Sequence, residues 1–106
     1  MRSTVDNALN QLAANPDTLF AKMMEHGSMS VEIYRPAGTD KQTPHTQDEL
    51  YVIISGSGDF YNNGDRSPFQ PGDILFVAAG HEHRFENFTD DFATWVIFYG
   101  PAGGER

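Results

Sequence analysis

Residues 72–87 of the chain read GDILFVAAGHEHRFEN. Their apolar run is short and rich in β-branched and aromatic side chains, which predicts a strand over residues 73–77. A turn-forming Ala79-Gly80 pair follows, and the polar residues after it lead into a second expected strand at residues 83–86. The stretch therefore predicts two strands joined by a turn, with a polar patch at the mouth of the second strand.

The same alternation of apolar segments and turn-forming residues extends over most of the chain. Asn63-Gly64, for example, favours a tight hairpin. Turns that recur at such short intervals are typical of an all-β sandwich or barrel. Eight strands, a number that suits a jelly roll, are expected at residues 19–25, 30–35, 49–55, 58–62, 66–69, 73–77, 83–86 and 94–99.

The two ends of the chain differ from this β pattern. Residues 4–14 are expected to form one short helix within an N-terminal helical segment at residues 1–16, with Thr4 as the N-cap and Asn15-Pro16 as the stop. The apolar stripe of this helix consists of Val5, Leu9 and Leu12. Residues 101–106 carry little apolar content and are expected to be a loose tail. The length of 106 residues predicts a single domain over residues 1–106.

The composition disfavours several functional classes. The formal net charge is -8 and Lys and Arg number only 7, so nucleic acid is an unfavourable partner. The absence of Cys excludes disulfides and thiolate metal sites. No apolar run is long enough to span a membrane, and no secretory signal is recognisable, so a cytoplasmic protein without a membrane partner is expected.

A polar stripe enters one of the expected strands. Thr43, His45, Gln47 and Glu49 are spaced by two, so in a continuous strand their side chains would share one face. Burying His45 and Glu49 inside a barrel is costly unless a cation or a hydrogen-bond network compensates. Cross-barrel pairing would bring His83 to them, and two His with one carboxylate match the ligand set of non-haem iron and related sites. A hydrogen-bonded polar cluster at the barrel mouth is the alternative.

The stretch that starts at Gly72 resembles the second motif of the cupin superfamily, Gly-x5-Pro-x-Gly-x2-His-x3-Asn. Gly80, His83 and Asn87 stand at their motif positions, and Ala78 replaces the Pro. The resemblance covers residues 30–99 and implies a small single-domain cupin of the conserved barrel type. The implied fold is all-β, a cupin-type jelly-roll β-barrel with a short N-terminal helix.

The first cupin motif is matched in part. Six residues separate Glu49 from Gly56 and three separate His45 from Glu49, as the motif requires, but Thr43 stands where the first His belongs. The resemblance implies His45, Glu49 and His83 as metal ligands. The fourth ligand is left open between Gln47 and Thr43. The implied cofactor is a divalent metal ion, with Fe, Zn, Mn and Ni as candidates.

The resemblance implies two classes of function. One is a metalloenzyme, dioxygenase-like or isomerase-like, that acts on a small polar molecule and in which Glu49 is the candidate catalytic residue. The other is a non-catalytic binding or sensor module for a small ligand. Tyr51 and Phe85 are expected on the ligand face, either as walls of a substrate pocket or as ordinary core. Asp40 and Asp48 are expected to be surface carboxylates.

Three of the expected strands are apolar on both faces, at residues 50–54, 74–77 and 95–99. A strand with one wet face should alternate, so the outer faces of these strands need a cover. One short helix is too small to cover all three. A homodimer is therefore expected.

Overall fold

The computed structural model describes all residues 1–106 and contains one helix and eight strands. They are α1 (Val5–Ala14), β1 (Phe20–His26), β2 (Met29–Tyr34), β3 (Asp48–Ser55), β4 (Gly58–Asn62), β5 (Asp65–Phe69), β6 (Ile74–Val77), β7 (His83–Glu86) and β8 (Ala93–Tyr99). All eight expected strands are present, with bounds that agree to within one residue. The expected all-β fold with a short N-terminal helix is confirmed.

The strands form two antiparallel sheets. The larger sheet has five strands in the order β1-β2-β8-β3-β6, and the smaller has three in the order β5-β4-β7. No ladder of hydrogen bonds joins one sheet to the other, so the barrel is made by two sheets that face each other. β3 and β7 therefore approach from opposite sides of the interior.

Helix α1 covers the outer face of the larger sheet. Thr4 caps its N-terminus and accepts a hydrogen bond from the Asn7 amide at 3.1 Å. Ala8 and Leu12 are buried against Ile33 of β2. Partly buried Ile54 and Trp95 extend this outer cluster, which is separate from the core between the sheets.

The core between the sheets is mainly aromatic. Phe85 of β7 lies at its centre, with ring centroids 4.6 Å from Phe92 and 4.8 Å from both Phe60 and Tyr51. Edge and tilted contacts at these separations are the favourable geometries for aromatic pairs. The buried members of this aromatic core are Tyr51, Ile53, Phe60, Phe69, Val77, Phe85, Phe92 and Val96.

The helix leaves one edge of the larger sheet uncovered. Ile74 and Phe76 of the edge strand β6 are 67% and 50% exposed. Such uncovered apolar surface was predicted from the strands whose sequence is apolar on both faces.

No helix of this structure is long and apolar enough to cross a membrane.

The C-terminal residues 101–106 differ from the loose tail expected from sequence. The Gly103 amide donates to the Thr46 carbonyl at 2.6 Å, and the Glu105 amide donates to the buried carboxylate of Asp48 at 2.8 Å. A Cβ at Gly104 would lie 2.8 Å from Asp48 Oδ1, so this close approach requires glycine. Backbone hydrogen bonds anchor the segment, which an argument from apolar content alone does not detect.

Candidate metal centre

His45, Glu49 and His83 come together in the interior, although each belongs to a different structural element. Glu49 is the second residue of β3, His83 is the first residue of β7, and His45 lies in the connection before β3. One ligand atom from each residue lies within 4.8 Å of the other two. The structure thus assembles the three ligands that the cupin resemblance implies.

The polar stripe that suggested this site does not form a continuous strand. β3 begins at Asp48, so Thr43, His45 and Gln47 lie in the connection between β2 and β3. Side-chain alternation therefore does not apply to them. His45 reaches Glu49 because the connection folds back over the mouth of the barrel, where the Gly80 amide donates to the His45 carbonyl at 2.8 Å.

The surroundings of Glu49 and His83 give the strongest indication of a cation-binding site. Both are buried, and His83 Nε2 lies 3.0 Å from Glu49 Oε1. His83 Nδ1 lies 2.9 Å from the His81 carbonyl, which can only accept, so Nδ1 carries a proton and Nε2 offers a lone pair when the ring is neutral. Both carboxylate oxygens of Glu49 and Nε2 of His83 are buried without a hydrogen-bond partner. Unpaired buried acceptors that face each other fit a bound cation.

His45 completes the cluster from the solvent side. It is half-buried, and its Nε2 lies 3.9 Å from Glu49 Oε1. Its ring centroid is 5.2 Å from that of His83 and 5.0 Å from that of Phe98, which it meets edge on. The ligand set is therefore closed on the core side and open on the side of His45.

The pKa values of the two histidines are shifted in opposite directions. Burial lowers the pKa of His45, an effect that the Glu49 carboxylate only partly offsets. Burial also acts to lower the pKa of His83, but the contacts with Glu49 and with the His81 carbonyl outweigh it, so that this pKa is raised. At neutral pH His45 is therefore ready to bind a cation, whereas His83 must release its proton more often before it can do so.

Two residues that sequence reasoning did not select support this cluster. Gln42 Oε1 lies 3.3 Å from His45 Nε2 and 3.0 Å from the Tyr51 hydroxyl. Gln42 Nε2 donates to Asp40 Oδ2 at 2.8 Å. Asp40 is only 4% exposed and also accepts from the Phe85 amide at 2.8 Å.

The expectation that Asp40 and Asp48 are surface carboxylates is wrong, because both are buried. Asp40 ties the connection before β3 to the core, and Asp48 ties it to the C-terminal segment. Nothing in their local sequence distinguishes them from exposed Asp. Both accept hydrogen bonds from main-chain amides distant in sequence, which no side-chain motif reveals.

A cavity of about 740 Å³ opens in front of His45. It lies against β1, β2 and β8 and is closed on the other side by the connection before β3. Its wall mixes apolar and polar side chains, namely Asp17, Thr18, Leu19, Phe20, Glu32, Tyr34, Ala37, Thr39, Lys41, Gln42, Thr43, His45, Val96 and Phe98. The volume suits a small ligand that would contact the cluster through His45.

Glu32 is the carboxylate of this wall that lies on the sheet itself. It neighbours Val96 in the β2/β8 ladder. Burial raises its pKa above the ordinary value of 4.5; Lys22 opposes this rise, and the charge of Glu49 adds to it. The carboxylate of Glu32 therefore interacts electrostatically with Glu49, one of the candidate ligands.

The remaining site residues expected from sequence lie elsewhere. Tyr51 and Phe85 do not line the cavity but are buried in the aromatic core, so the core interpretation applies to them. The Gln47 amide nitrogen donates to the carbonyls of Ser28 and Gly100 at 3.0 and 2.9 Å, and Gln42 rather than Gln47 contacts His45. Thr43 is exposed and lies in the cavity wall.

Comparison with known proteins identifies the family to which the chain belongs. The family described as Cupin domain matches residues 30–99. An uncharacterized protein of Streptomyces coelicolor is 32% identical over 99 residues, which cover 92% of this chain and 93% of that one. The oxalate-binding protein of Thermotoga maritima is 33% identical over 73 residues, which cover 69% of this chain and 54% of that one. A solved structure from Ralstonia eutropha, provisionally named a mannose-6-phosphate isomerase, shares 27% identity with a TM-score of 0.61, covering 81% of this chain and 87% of that one.

Proposed function

Because this chain belongs to the cupin family, we propose that it is a metal-dependent cupin enzyme that acts on a small polar molecule in the cavity beside His45. The observation that carries the proposal is a set of buried acceptor atoms on Glu49 and His83 that face each other at 3.0 Å and, when the His83 ring is neutral, have no hydrogen-bond donor. Leaving such atoms unpaired costs about 1–3 kcal/mol each, so a fold that keeps them is expected to gain a ligand in return.

In this proposal His45, Glu49 and His83 hold a divalent ion, with Fe, Zn, Mn and Ni as candidates. When bound, such an ion supplies Lewis-acid polarisation of a ligand oxygen and, in the case of iron, O₂ chemistry. The chain itself positions the donors and keeps water from the core side, since Glu49 and His83 are buried. Glu49 is also the candidate base, because its second oxygen is free to accept a proton from a bound molecule.

The open side of the cluster favours exchange of ligands over a purely structural role. A structural zinc site is normally closed by four strong protein donors, and only three imidazole or carboxylate donors converge here. The cavity in front of His45 leaves room for a small molecule at the remaining positions. The Ralstonia protein named as an isomerase favours an isomerase-like reaction, and the two-His-one-carboxylate set favours a dioxygenase-like one.

A non-catalytic module that binds a small ligand is the second candidate function. The oxalate-binding protein of Thermotoga maritima, whose name states binding and no reaction, favours it. Both candidates need the same metal centre. They differ in whether a bound molecule is transformed.

The test of the metal centre is elemental analysis of protein purified without added metal. We expect about one equivalent of a divalent metal in the wild type, and little in His83→Ala and Glu49→Ala. His26→Ala is the matched control, because His26 is exposed and outside the cluster. Equal metal content in the wild type and both site variants would rule out this centre.

Openness of the site is tested with iron. After anaerobic loading with Fe(II), nitric oxide serves as a surrogate for O₂, and the electron paramagnetic resonance spectrum is recorded. We expect an iron-nitrosyl signal that Glu49→Ala or His45→Ala removes. An iron-loaded wild type without this signal would contradict an open, O₂-accessible site, and product analysis with candidate substrates then separates catalysis from binding.

Assembly as a homodimer is part of the proposal. Ile74 and Phe76 form the exposed apolar pair on the edge strand β6, where a second copy of the chain would cover them. Light scattering should give twice the mass of one chain, and Phe76→Glu should shift the species towards 11.8 kDa. A wild type that is monodisperse at 11.8 kDa would contradict the dimer. The cytoplasmic location stays a prediction.

A further inference from the structure

The Gln42 side chain is held in one orientation beside the metal cluster. Its Nε2 donates to Asp40 Oδ2 at 2.8 Å, and its main-chain amide approaches Asp40 Oδ1 at 3.3 Å. A carboxylate only accepts, so the NH₂ end of the amide must face Asp40 and the carbonyl end must face the interior. Asp40 itself is fixed by hydrogen bonds from the Tyr34 hydroxyl at 2.6 Å and the Phe85 amide at 2.8 Å.

The carbonyl oxygen of Gln42 has one lone pair directed towards the cluster. A carbonyl oxygen accepts through two lone pairs. The Tyr51 hydroxyl, which lies deep in the core, donates to one of them at 3.0 Å. The oxygen also lies 3.3 Å from His45 Nε2, and that nitrogen is in turn 3.9 Å from Glu49 Oε1.

Three of the separations among these atoms fall in the range expected around a single ion. Two donors bound at about 2.1 Å each lie between about 3.0 Å apart at a right angle and about 4.2 Å apart on opposite sides. The observed separations are 3.0 Å for His83 Nε2 and Glu49 Oε1, 3.3 Å for Gln42 Oε1 and His45 Nε2, and 3.9 Å for His45 Nε2 and Glu49 Oε1. Gln42 Oε1 is therefore close enough to His45 Nε2 for the two atoms to bind the same ion.

We propose that Gln42 is the fourth protein ligand of the metal centre, through Oε1, and that Asp40 is the residue that positions it. The proposal rests on the proposed metal centre and adds a neutral oxygen to its two imidazoles and one carboxylate. Carbonyl oxygen is a ligand type that suits hard ions such as Mn, so an amide ligand shifts the set towards harder divalent metals. Gln42 thus replaces Gln47 and Thr43, which the first cupin motif left as the two candidates for the fourth ligand.

The first test is the Mn(II) affinity of purified apoprotein, measured by isothermal titration calorimetry. We expect Gln42→Leu to weaken binding by about tenfold or more, the loss typical when a supporting residue of a metal site is removed. Gln47→Leu is the matched control and should bind as the wild type does. Circular dichroism on each variant confirms that the fold is retained.

The second test separates a ligand from a residue that only positions His45. Protein labelled with ¹³C at the side-chain carbonyl of glutamine is loaded with Mn(II) and measured by electron nuclear double resonance. A glutamine ligand gives a strong ¹³C coupling, because its carbonyl carbon lies next to the bound oxygen. We expect this coupling in the wild type and in Gln47→Leu, and its loss in Gln42→Leu.

The outcomes distinguish this proposal from the metal centre itself. Normal Mn(II) binding that requires His83 and Glu49, without a strong glutamine coupling, would overturn the role of Gln42 and leave the metal centre intact. A wild type that binds no metal would overturn both. A strong coupling that persists in Gln42→Leu would also overturn the assignment, since another glutamine would then be the ligand.

Discussion

The interior has an aromatic half and a polar half, and strands β3 and β7 contribute to both. The two halves differ in whether their side chains have partners. On β7, His83 belongs to the polar cluster, and Phe85, two residues later, lies at the centre of the aromatic core. On β3, Glu49 and Tyr51 divide in the same way. In the aromatic half every ring has partners at packing distance, whereas in the polar half Glu49 and His83 keep acceptor atoms without partners.

This difference assigns stability to the aromatic half and leaves the polar half for the proposed metal centre. Close aromatic packing contributes both burial and favourable ring geometry. Unpaired acceptors oppose folding until a ligand satisfies them. Tyr51 connects the halves, because its ring packs on Phe85 at 4.8 Å between centroids and its hydroxyl donates to Gln42.

The largest expected effect lies in the aromatic half. Phe85→Ala removes the ring that contacts Tyr51, Phe60, Phe69 and Phe92, and should lower the free energy of unfolding by about 3–5 kcal/mol. Urea denaturation measures this loss. Phe20→Ala is the matched control, since Phe20 is 55% exposed and should change stability little. Similar losses in the two variants would contradict the assignment of stability to the aromatic core.

Asp40→Ala should produce the next largest effect, because it leaves the Phe85 amide and the Tyr34 hydroxyl without their acceptor. The expected loss is about 1–3 kcal/mol by urea denaturation, together with weaker Mn(II) binding. Asp65→Ala, at the exposed start of β5, serves as the control. A variant with lower stability but unchanged Mn(II) affinity would separate Asp40 from the metal centre.

Glu32→Gln should have a small effect of the opposite sign. Burial raises the pKa of Glu32 in the folded protein, so the unfolded chain releases this proton first, and stability falls as the pH rises from 4.5 to the folded value. The variant should therefore be more stable than the wild type at pH 7, by less than about 1 kcal/mol because solvent screens the half-buried group. Below pH 4 the gain should vanish. Thermal unfolding of both proteins against pH checks this, and a gain that persists in acid would exclude the electrostatic cause.

The effect of replacing Asp48 is expected to be confined to the C-terminal segment. Hydrogen bonds from the Glu105 and Ala79 amides lower its pKa below 3.8, so its contribution is present above that pH and is lost as the pH falls through the folded value. Asp48→Ala should speed amide hydrogen exchange at residues 103–105 at neutral pH. Exchange in the aromatic core should stay as it is in the wild type. Unchanged exchange at Glu105 would mean that Asp48 does not anchor the C-terminal segment.

The regular structure could be predicted from the sequence because its signals are local. Asn63-Gly64 and the capping Thr4 each act within a few residues, and they place β4, β5 and α1 correctly. The candidate ligands His45, Glu49 and His83 were predicted because their spacing matches a family pattern. The structure brings them together as the resemblance implied.

The supporting residues were not predictable in the same way. Gln42 reaches the cluster because the connection before β3 folds back. The period-two argument that put Gln47 and Thr43 on the same face as Glu49 assumes a strand that begins earlier than Asp48. Asp40 is buried by bonds to Phe85 and Tyr34, of which the former is 45 residues away. Contacts between irregular segments and distant amides depend on the tertiary fold, so neither composition nor spacing indicates them.

The account is tested most directly by a crystal structure of protein loaded with Mn(II), with data collected to give anomalous scattering from the metal. We expect one strong anomalous peak within bonding distance of His45, Glu49 and His83, with Gln42 Oε1 as a further donor. A peak at His26 or another surface side chain, or direct hydrogen bonds that satisfy Glu49 and His83 without a metal, would contradict the account.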